Sequence, residues 1–131
     1  MFLPVRVLVT GGRDYADKEY LFDVLDRWHA ERGIECIIEG GATGADALAG
    51  MWANERGVML HVFPAQWELG TSAGMLRNTQ MLVEGKPNVV IAFPGDSGTE
   101  NMMGIAQKQG VPVIRPHRDW QVRESGSQAL S

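Results

Sequence analysis

Apolar runs of strand length alternate along this chain with segments of helical periodicity, and this alternation constrains the fold more than any other feature. The strand-like runs cover 5–10, 35–39, 58–63, 88–93 and 111–115, and the helix-like segments between them cover 17–32, 44–56, 73–84 and 99–109. Strands that alternate with helices form mostly parallel sheets covered on both faces. The sequence therefore predicts an α/β fold: a Rossmann-like, doubly wound, mostly parallel sheet of about five strands, with helices on both faces.

Residues that end helices and strands separate these segments. Asp17 precedes the first helical segment as an N-cap, and Gly33 and Gly57 follow the first and second as C-terminal stops. Pro64 breaks the third strand because proline donates no hydrogen bond to a ladder. Residues 66–72 are polar and contain glycine, which predicts a loop.

Length and composition limit the domain count and the partners. In 131 residues there is room for one domain, which we expect to span 1–116, followed by a polar C-terminal tail at 117–131. The formal net charge of -4 disfavours a general nucleic-acid binder. The one cysteine, Cys36, can form no internal disulfide, and no signal peptide or apolar run of roughly 20 residues is visible. These features predict a cytoplasmic protein without a membrane partner.

Three glycine-rich segments follow predicted strands, at 10–15, 39–46 and 94–100. The carboxyl ends of parallel strands meet at one edge of a sheet, so all three would open on the same side. Glycine lets backbone amides approach a ligand, and the N-terminus of a helix attracts anions. We therefore expect this edge to hold a phosphate-bearing ligand, although the segment 39–46 lacks the lysine of an ATPase phosphate loop.

Several polar residues near these loops have two interpretations. Arg13 can pair with a phosphate through its planar guanidinium, or lie solvated in a tight turn. Asp46 either complements a helix dipole or binds ribose hydroxyls. Glu100 either complements the dipole of its helix or is a catalytic group. Arg77 is a surface residue unless its helix begins at the open edge of the sheet, where it would reach the phosphate. Trp67, in a predicted loop, is the best aromatic candidate to stack on a base.

Metal chemistry has little support in the sequence. His29, His61 and His117 lie on separate segments without the spacing of metal ligands. We therefore expect no metal site and no obligatory cofactor.

Four motifs appear in a characteristic order: VLVTGGRDY at 7–15, EGGATGAD at 39–46, AGMLRN at 73–78 and FPGDSGT at 93–99. Together they resemble the YspA/YpsA-related branch of the SLOG superfamily over roughly residues 5 to 115. That superfamily is Rossmann-like and includes the Lonely Guy phosphoribohydrolases and the DNA-processing DprA proteins. It also includes domains thought to sense nucleotide or NAD-derived signals.

The resemblance implies binding or sensing of a nucleoside phosphate, ADP-ribose or an NAD-derived signal. The residues expected to bind this ligand are Gly11, Gly12, Arg13, Gly40, Gly41, Thr43, Gly44, Asp46, Arg77, Asn78, Gly95, Ser97, Gly98 and Thr99. An alternative function is an N-glycosidic phosphoribohydrolase acting on nucleoside monophosphates, with Glu100 and Arg77 as catalytic residues. Binding of single-stranded DNA is a weaker alternative, and self-association through helices is expected of small domains of this type.

Overall fold

The β-branched and aliphatic runs of the sequence form five strands in one sheet. The computed structural model describes residues 3–70 and 72–116. Its strands are β1 (Val5–Thr10), β2 (Ile34–Glu39), β3 (Met59–Val62), β4 (Val89–Ala92) and β5 (Val113–Ile114). They lie in the order β3-β2-β1-β4-β5, and every neighbouring pair is parallel. The predicted class, a Rossmann-like α/β fold with a parallel sheet, is confirmed.

The connecting helices cover both faces of this sheet. They are α1 (Lys18–Glu31), α2 (Ala45–Arg56), α3 (Ala73–Gly85) and α4 (Ser97–Lys108). One apolar cluster joins α1 and α2 to the sheet around the buried Trp52, and a second joins α3 and α4 to it around the buried Met102. The predicted loop at 66–72 contains a short 3-10 helix, Trp67–Leu69.

Local sequence signals set several of the element ends. Asp17 caps α1, because its carboxylate accepts a hydrogen bond from the backbone N–H of Tyr20 at 3.2 Å. Gly57 ends α2 in the left-handed conformation, with a φ of 69°. None of the helices in the described part of the chain is long and apolar enough to cross a membrane.

Two elements differ in extent from their predicted ranges. The fourth helix was expected from 99 but begins at Ser97, because the Asp96 carboxylate accepts from the backbone N–H of Gly98 and caps the helix earlier. The last strand was expected at 111–115 but spans only Val113–Ile114. The N–H of Val111 is engaged by the carbonyl of Ala106 at the end of α4, and Pro112 has no N–H to donate. The expected tail at 117–131 lies outside the described residues.

The strand order creates a crevice beside the central strand. The chain leaves β1 for α1 on one face and leaves β4 for α4 on the other, although these two strands are neighbours. The loops that follow them therefore diverge. In open α/β sheets, ligands bind where neighbouring strands diverge in this way.

Candidate ligand-binding cleft

A cleft of about 690 Å³ opens at the carboxyl ends of β1 and β4. This volume lies within the usual range of small-molecule sites. Its walls come from all four predicted motifs and the short helix after β3. The wall residues used below are Arg13, Asp46, Trp67, Arg77, Asn78, Ser97, Gly98, Thr99 and Glu100. A smaller cavity of about 360 Å³ adjoins it and shares Arg13, Trp67 and Arg77 as a common wall.

The three glycine loops are bonded to one another through Gly12. The backbone N–H of Gly12 donates to the carbonyl of Pro94 at 2.8 Å, and its carbonyl accepts from the N–H of Ala45 at 3.2 Å. A Cβ on Gly95 would come within 2.7 Å of the Gly12 nitrogen, and a Cβ on Gly11 within 2.6 Å of the Ala45 Cβ. These glycines are needed first for the close approach of the loops to each other.

The amides of the second loop are engaged by the protein's own carboxylates. Asp46 Oδ2 accepts from the N–H of Gly40 at 3.1 Å and from that of Ala42 at 3.2 Å. Glu39 Oε1 accepts from the N–H of Gly41. Asp46 therefore does more than complement a helix dipole: it fixes the shape of the loop that precedes its own helix.

Burial destabilises the charged form of both carboxylates. Burial raises the pKa of Glu39 to about 7, against a weaker opposing effect of the hydrogen bond from Gly41. Burial also raises the pKa of Asp46, while its bond from Ala42 and the charge of Arg77 act in the opposite direction. Glu39 is absent from the predicted site residues. A carboxylate at the last position of a buried strand, directly before two glycines, is the signal that identifies it.

Arg77, a residue of α3, is half-buried against the second loop. Its guanidinium donates through Nη1 to the carbonyl of Gly40 and through Nε to Oδ1 of Asn78, the latter at 3.1 Å. Burial lowers the pKa of Arg77, and the positive charge of Arg13 lowers it further against the attraction of Asp46. The helix α3 does begin at the open edge of the sheet, so Arg77 reaches the cleft rather than the outer surface.

Arg13, in the first loop, borders the same cleft and the same adjoining cavity as Arg77. Its side chain is exposed, and its guanidinium carbon lies over the Trp67 ring, 5.3 Å from the ring centroid. Its carbonyl accepts from the hydroxyl of Thr43 at 3.1 Å, which ties the first loop to the second. Among residues 3–70 and 72–116, neither Arg13 nor Arg77 forms an ion pair with a carboxylate.

The N-terminus of α4 forms the remaining wall of the cleft. Ser97 and Gly98 are exposed there, whereas Thr99 is buried and its Oγ1 has no hydrogen-bond partner within the described residues. Asn78 joins α3 to this turn by donating to the carbonyl of Gly98 at 3.2 Å and to Oδ1 of Asn101 at 2.9 Å. The polar end of α4 is thus held at a fixed position.

The structure brings most of the predicted site residues together. Those on the wall of the cleft are Gly11, Arg13, Asp46, Arg77, Asn78, Ser97, Gly98, Thr99 and Glu100, and those on the adjoining cavity are Gly40, Gly41 and Thr43. Gly12 and Gly44 lie in the contacts between loops. Gly95 lines a neighbouring cavity of about 250 Å³ together with Thr99 and Glu100. In the described ranges, no three His, Cys, Asp or Glu side chains cluster as metal ligands would.

The parallel strand order and the cleft at the carboxyl ends define a Rossmann-like domain with the ligand crevice of an open α/β sheet. The chain belongs to the YAcAr family, described as the YspA, cpYpsA-related SLOG family, whose model matches residues 5–70. The resemblance inferred from the four motifs is confirmed.

Two known proteins are similar to this chain. The Gene 61 protein of Mycobacterium phage D29 is 42% identical over 118 residues, which cover 83% of this chain and 94% of that protein. The X-ray structure of DNA processing protein A (DprA) from Streptococcus pneumoniae matches 91% of this chain with a TM-score of 0.50 and 14% identity. This chain spans only 61% of the matched DprA chain, and the similarity at this identity concerns the fold alone.

Proposed function

We propose that this protein binds a nucleotide-derived small molecule, such as a nucleoside phosphate, ADP-ribose or an NAD-derived signal, in the cleft beside β1 and β4. One observation carries the proposal. Arg13 and Arg77 border the same cleft, the positive charge of Arg13 helps to lower the pKa of Arg77, and neither has an ion-paired carboxylate among the described residues. A phosphate between two such guanidiniums would accept charge-assisted hydrogen bonds from both and relieve their repulsion.

The opposite wall of the cleft offers further groups to an anion. The N-terminus of α4 borders the cleft, where Ser97 and Gly98 are exposed. The N–H of Gly98 already donates to the Asp96 carboxylate, so α4 would offer the Ser97 hydroxyl and the positive end of the helix dipole. The second glycine loop would support an arginine rather than bind the phosphate itself. Because its amides already bond to Asp46 and Glu39, it supports Arg77 through the carbonyl of Gly40 and leaves the phosphate to the arginines and to α4.

The experiment that tests this function is a thermal-shift screen with AMP, ADP-ribose, NAD, cyclic ADP-ribose isomers and cyclic dinucleotides. Each compound that raises the melting temperature is tested again with Arg13→Ala and Arg77→Ala. Lys108→Ala is the matched control, because it removes one positive charge from the far end of α4. A saturating rise that both arginine variants abolish and the lysine variant retains supports the proposal. No rise with any compound, or an equal rise in all variants, contradicts it.

A second candidate function, phosphoribohydrolase activity, is favoured by one specific observation. Glu100 lies on the same cleft wall as Arg77, so a carboxylate and a phosphate-binding arginine could face one nucleoside monophosphate. The carboxylate would then act at the anomeric carbon while the arginine holds the phosphate. The test is release of free base from nucleoside monophosphates by wild-type protein and by Glu100→Gln. Release at the wild-type rate by the variant excludes this role of Glu100.

A further inference from the structure

We propose that Trp67 is the platform on which the base of the ligand stacks, in the place that the Arg13 guanidinium occupies in this structure. The inference rests on the proposed function and narrows it: the ligand must carry a planar aromatic ring, so a sugar phosphate without a base is a poor ligand. Three features of the Trp67 ring carry the argument, namely its exposure, its support by α3 and its contact with a movable partner.

The first feature is the exposure of the ring in the wall of the cleft. The side chains of Trp28 and Trp52 are buried in the core, whereas Trp67 is 53% exposed. Its ring borders both the 690 Å³ cleft and the adjoining cavity. Aromatic side chains on the wall of a small-molecule cleft are typical ligand contacts.

The second feature is the glycine that allows the ring to lie against α3. A Cβ at Gly74, in the first turn of α3, would come within 3.2 Å of Cη2 of Trp67. The helix backbone thus supports the ring from one side, and a side chain at position 74 would push it away. The ring orientation is therefore determined by α3 as well as by the short helix Trp67–Leu69.

The third feature is the partner of the ring on its cleft side. The Arg13 side chain is exposed and free of ion pairs within the described residues, so little holds it over Trp67 except the cation–π contact. Stacking of a base on an aromatic ring is generally stronger than a cation–π contact at an exposed site. An incoming base therefore replaces the guanidinium. The Arg13 backbone stays in place, because its carbonyl accepts from Thr43.

The exchange has a second consequence for the same ligand. Once it leaves the ring, the guanidinium of Arg13 is free to turn towards Arg77 and the phosphate. One rotation of the Arg13 side chain would then allow the base to stack on Trp67 and the phosphate to bind between the two arginines. Recognition would be weaker for a ligand that has only one of these groups.

The test is isothermal titration of AMP, ADP-ribose and ribose 5-phosphate into wild-type protein, Trp67→Ala, Trp67→Phe and Gly74→Ala. We expect Trp67→Ala to weaken AMP and ADP-ribose binding by about 5- to 150-fold, the range found for loss of base stacking, and to change ribose 5-phosphate binding less than about twofold. Trp67→Phe should recover most of the affinity. Gly74→Ala should weaken only the two ligands that carry a base. Quenching of tryptophan fluorescence by AMP should disappear in Trp67→Phe.

The outcomes separate this inference from the proposed function. If wild-type protein binds AMP and ribose 5-phosphate and Trp67→Ala binds both as wild type does, the stacking role is wrong and the binding function stands. If Trp67→Ala weakens all three ligands equally, the residue is structural and the inference is also wrong. If wild-type protein binds none of the three, the inference is wrong, and the proposed function is then decided by NAD, the cyclic ADP-ribose isomers and the cyclic dinucleotides of the thermal-shift screen. Circular dichroism of each variant checks that it is folded.

Discussion

Gly44 lies against the carbonyl of Gly12 so closely that a Cβ on Gly44 would overlap the Gly12 oxygen. The same Cβ would come within 2.6 Å of the Arg13 carbonyl oxygen. Gly44 also has a φ of 76° and a ψ of -129°, a conformation that is essentially restricted to glycine. The first and second loops therefore meet backbone to backbone, and only glycine at position 44 permits that contact.

We expect Gly44→Ala to lower the free energy of unfolding by about 3 kcal/mol or more, because it adds backbone strain to a clash with atoms that cannot move independently. Urea denaturation measures the change. Gly104→Ala is the control: Gly104 is an exposed residue within α4, and a Cβ there would meet nothing within 4 Å. It should stabilise the protein by about 0.5–1 kcal/mol. A Gly44→Ala protein as stable as wild type would contradict the close contact of the loops.

The buried carboxyl of Glu39 predicts an unusual dependence of stability on pH. Its pKa is about 7 in the native protein against an ordinary value of 4.5, so the native state retains a proton that the unfolded chain has lost. The contribution of Glu39 to stability is therefore greatest below pH 4.5, falls as the pH rises to about 7, and is constant above it. The total fall is about 3 kcal/mol.

Glu39→Gln should remove this fall, because glutamine keeps an oxygen to accept from Gly41 and carries no charge. Relative to wild type, the variant should gain stability steadily from pH 4.5 to 7, as measured by urea denaturation at a series of pH values. Glu35→Gln makes the same chemical change at an exposed position of the same strand, where it also removes the ion pair with Arg6, and is the control for the loss of one carboxylate. Parallel pH profiles for wild type and Glu39→Gln would show that the native carboxyl is not desolvated.

Asn78 should be the most costly polar residue to remove from α3. It is buried and makes three hydrogen bonds, to the Gly98 carbonyl, to Asn101 and from Arg77. Asn78→Ala leaves these partners unpaired, so we expect a loss of about 2–3 kcal/mol in the free energy of unfolding. Gln80→Ala, on the exposed side of the same helix, should change it by less than about 0.5 kcal/mol. Equal effects of the two substitutions would contradict a specific link between α3 and α4.

Thr99 and Thr43 should respond oppositely to replacement by valine. The buried hydroxyl of Thr99 has no partner within the described part of the chain. Thr99→Val should therefore leave the free energy of unfolding unchanged or raise it by up to about 1–2 kcal/mol, with a melting temperature that is equal or higher. Thr43→Val loses the bond to the Arg13 carbonyl and should cost about 0.5–1 kcal/mol. If the ligand uses the Thr99 hydroxyl, the AMP-induced shift decreases in Thr99→Val although the protein itself is no less stable. Destabilisation by Thr99→Val would indicate a hydrogen bond to that hydroxyl.

Local signals in the sequence predicted the elements well and the contacts between loops poorly. The segment 17–32 has helical periodicity in the sequence, and its apolar residues Leu21, Val24 and Leu25 are buried in α1. The hydrogen bonds of Asp46 and Glu39 to the amides of the second loop could not be predicted in the same way. These bonds depend on how the loop folds back over the sheet, and this is determined by tertiary contacts with the first loop rather than by periodicity.

The position of Arg77 illustrates the same limit. Its place in a helical pattern favoured a surface position, whereas the tertiary structure holds it half-buried on the cleft wall through the Gly40 carbonyl and Asn78. The early start of α4 was also missed, because it depends on the capping side chain of Asp96 in the turn before the predicted helix. Caps and buried polar bonds of this kind follow from the packing of neighbouring loops.

The carboxylates that occupy the amides of the second loop have a kinetic consequence. Because Asp46 and Glu39 already hold Gly40, Gly41 and Ala42, this loop does not have to become ordered when a molecule arrives. In the proposed binding mode only the Arg13 side chain rotates, and exposed side chains do so within nanoseconds. In stopped-flow mixing, the observed rate of association should therefore increase linearly with concentration and show no plateau, so that encounter by diffusion governs how quickly the protein responds.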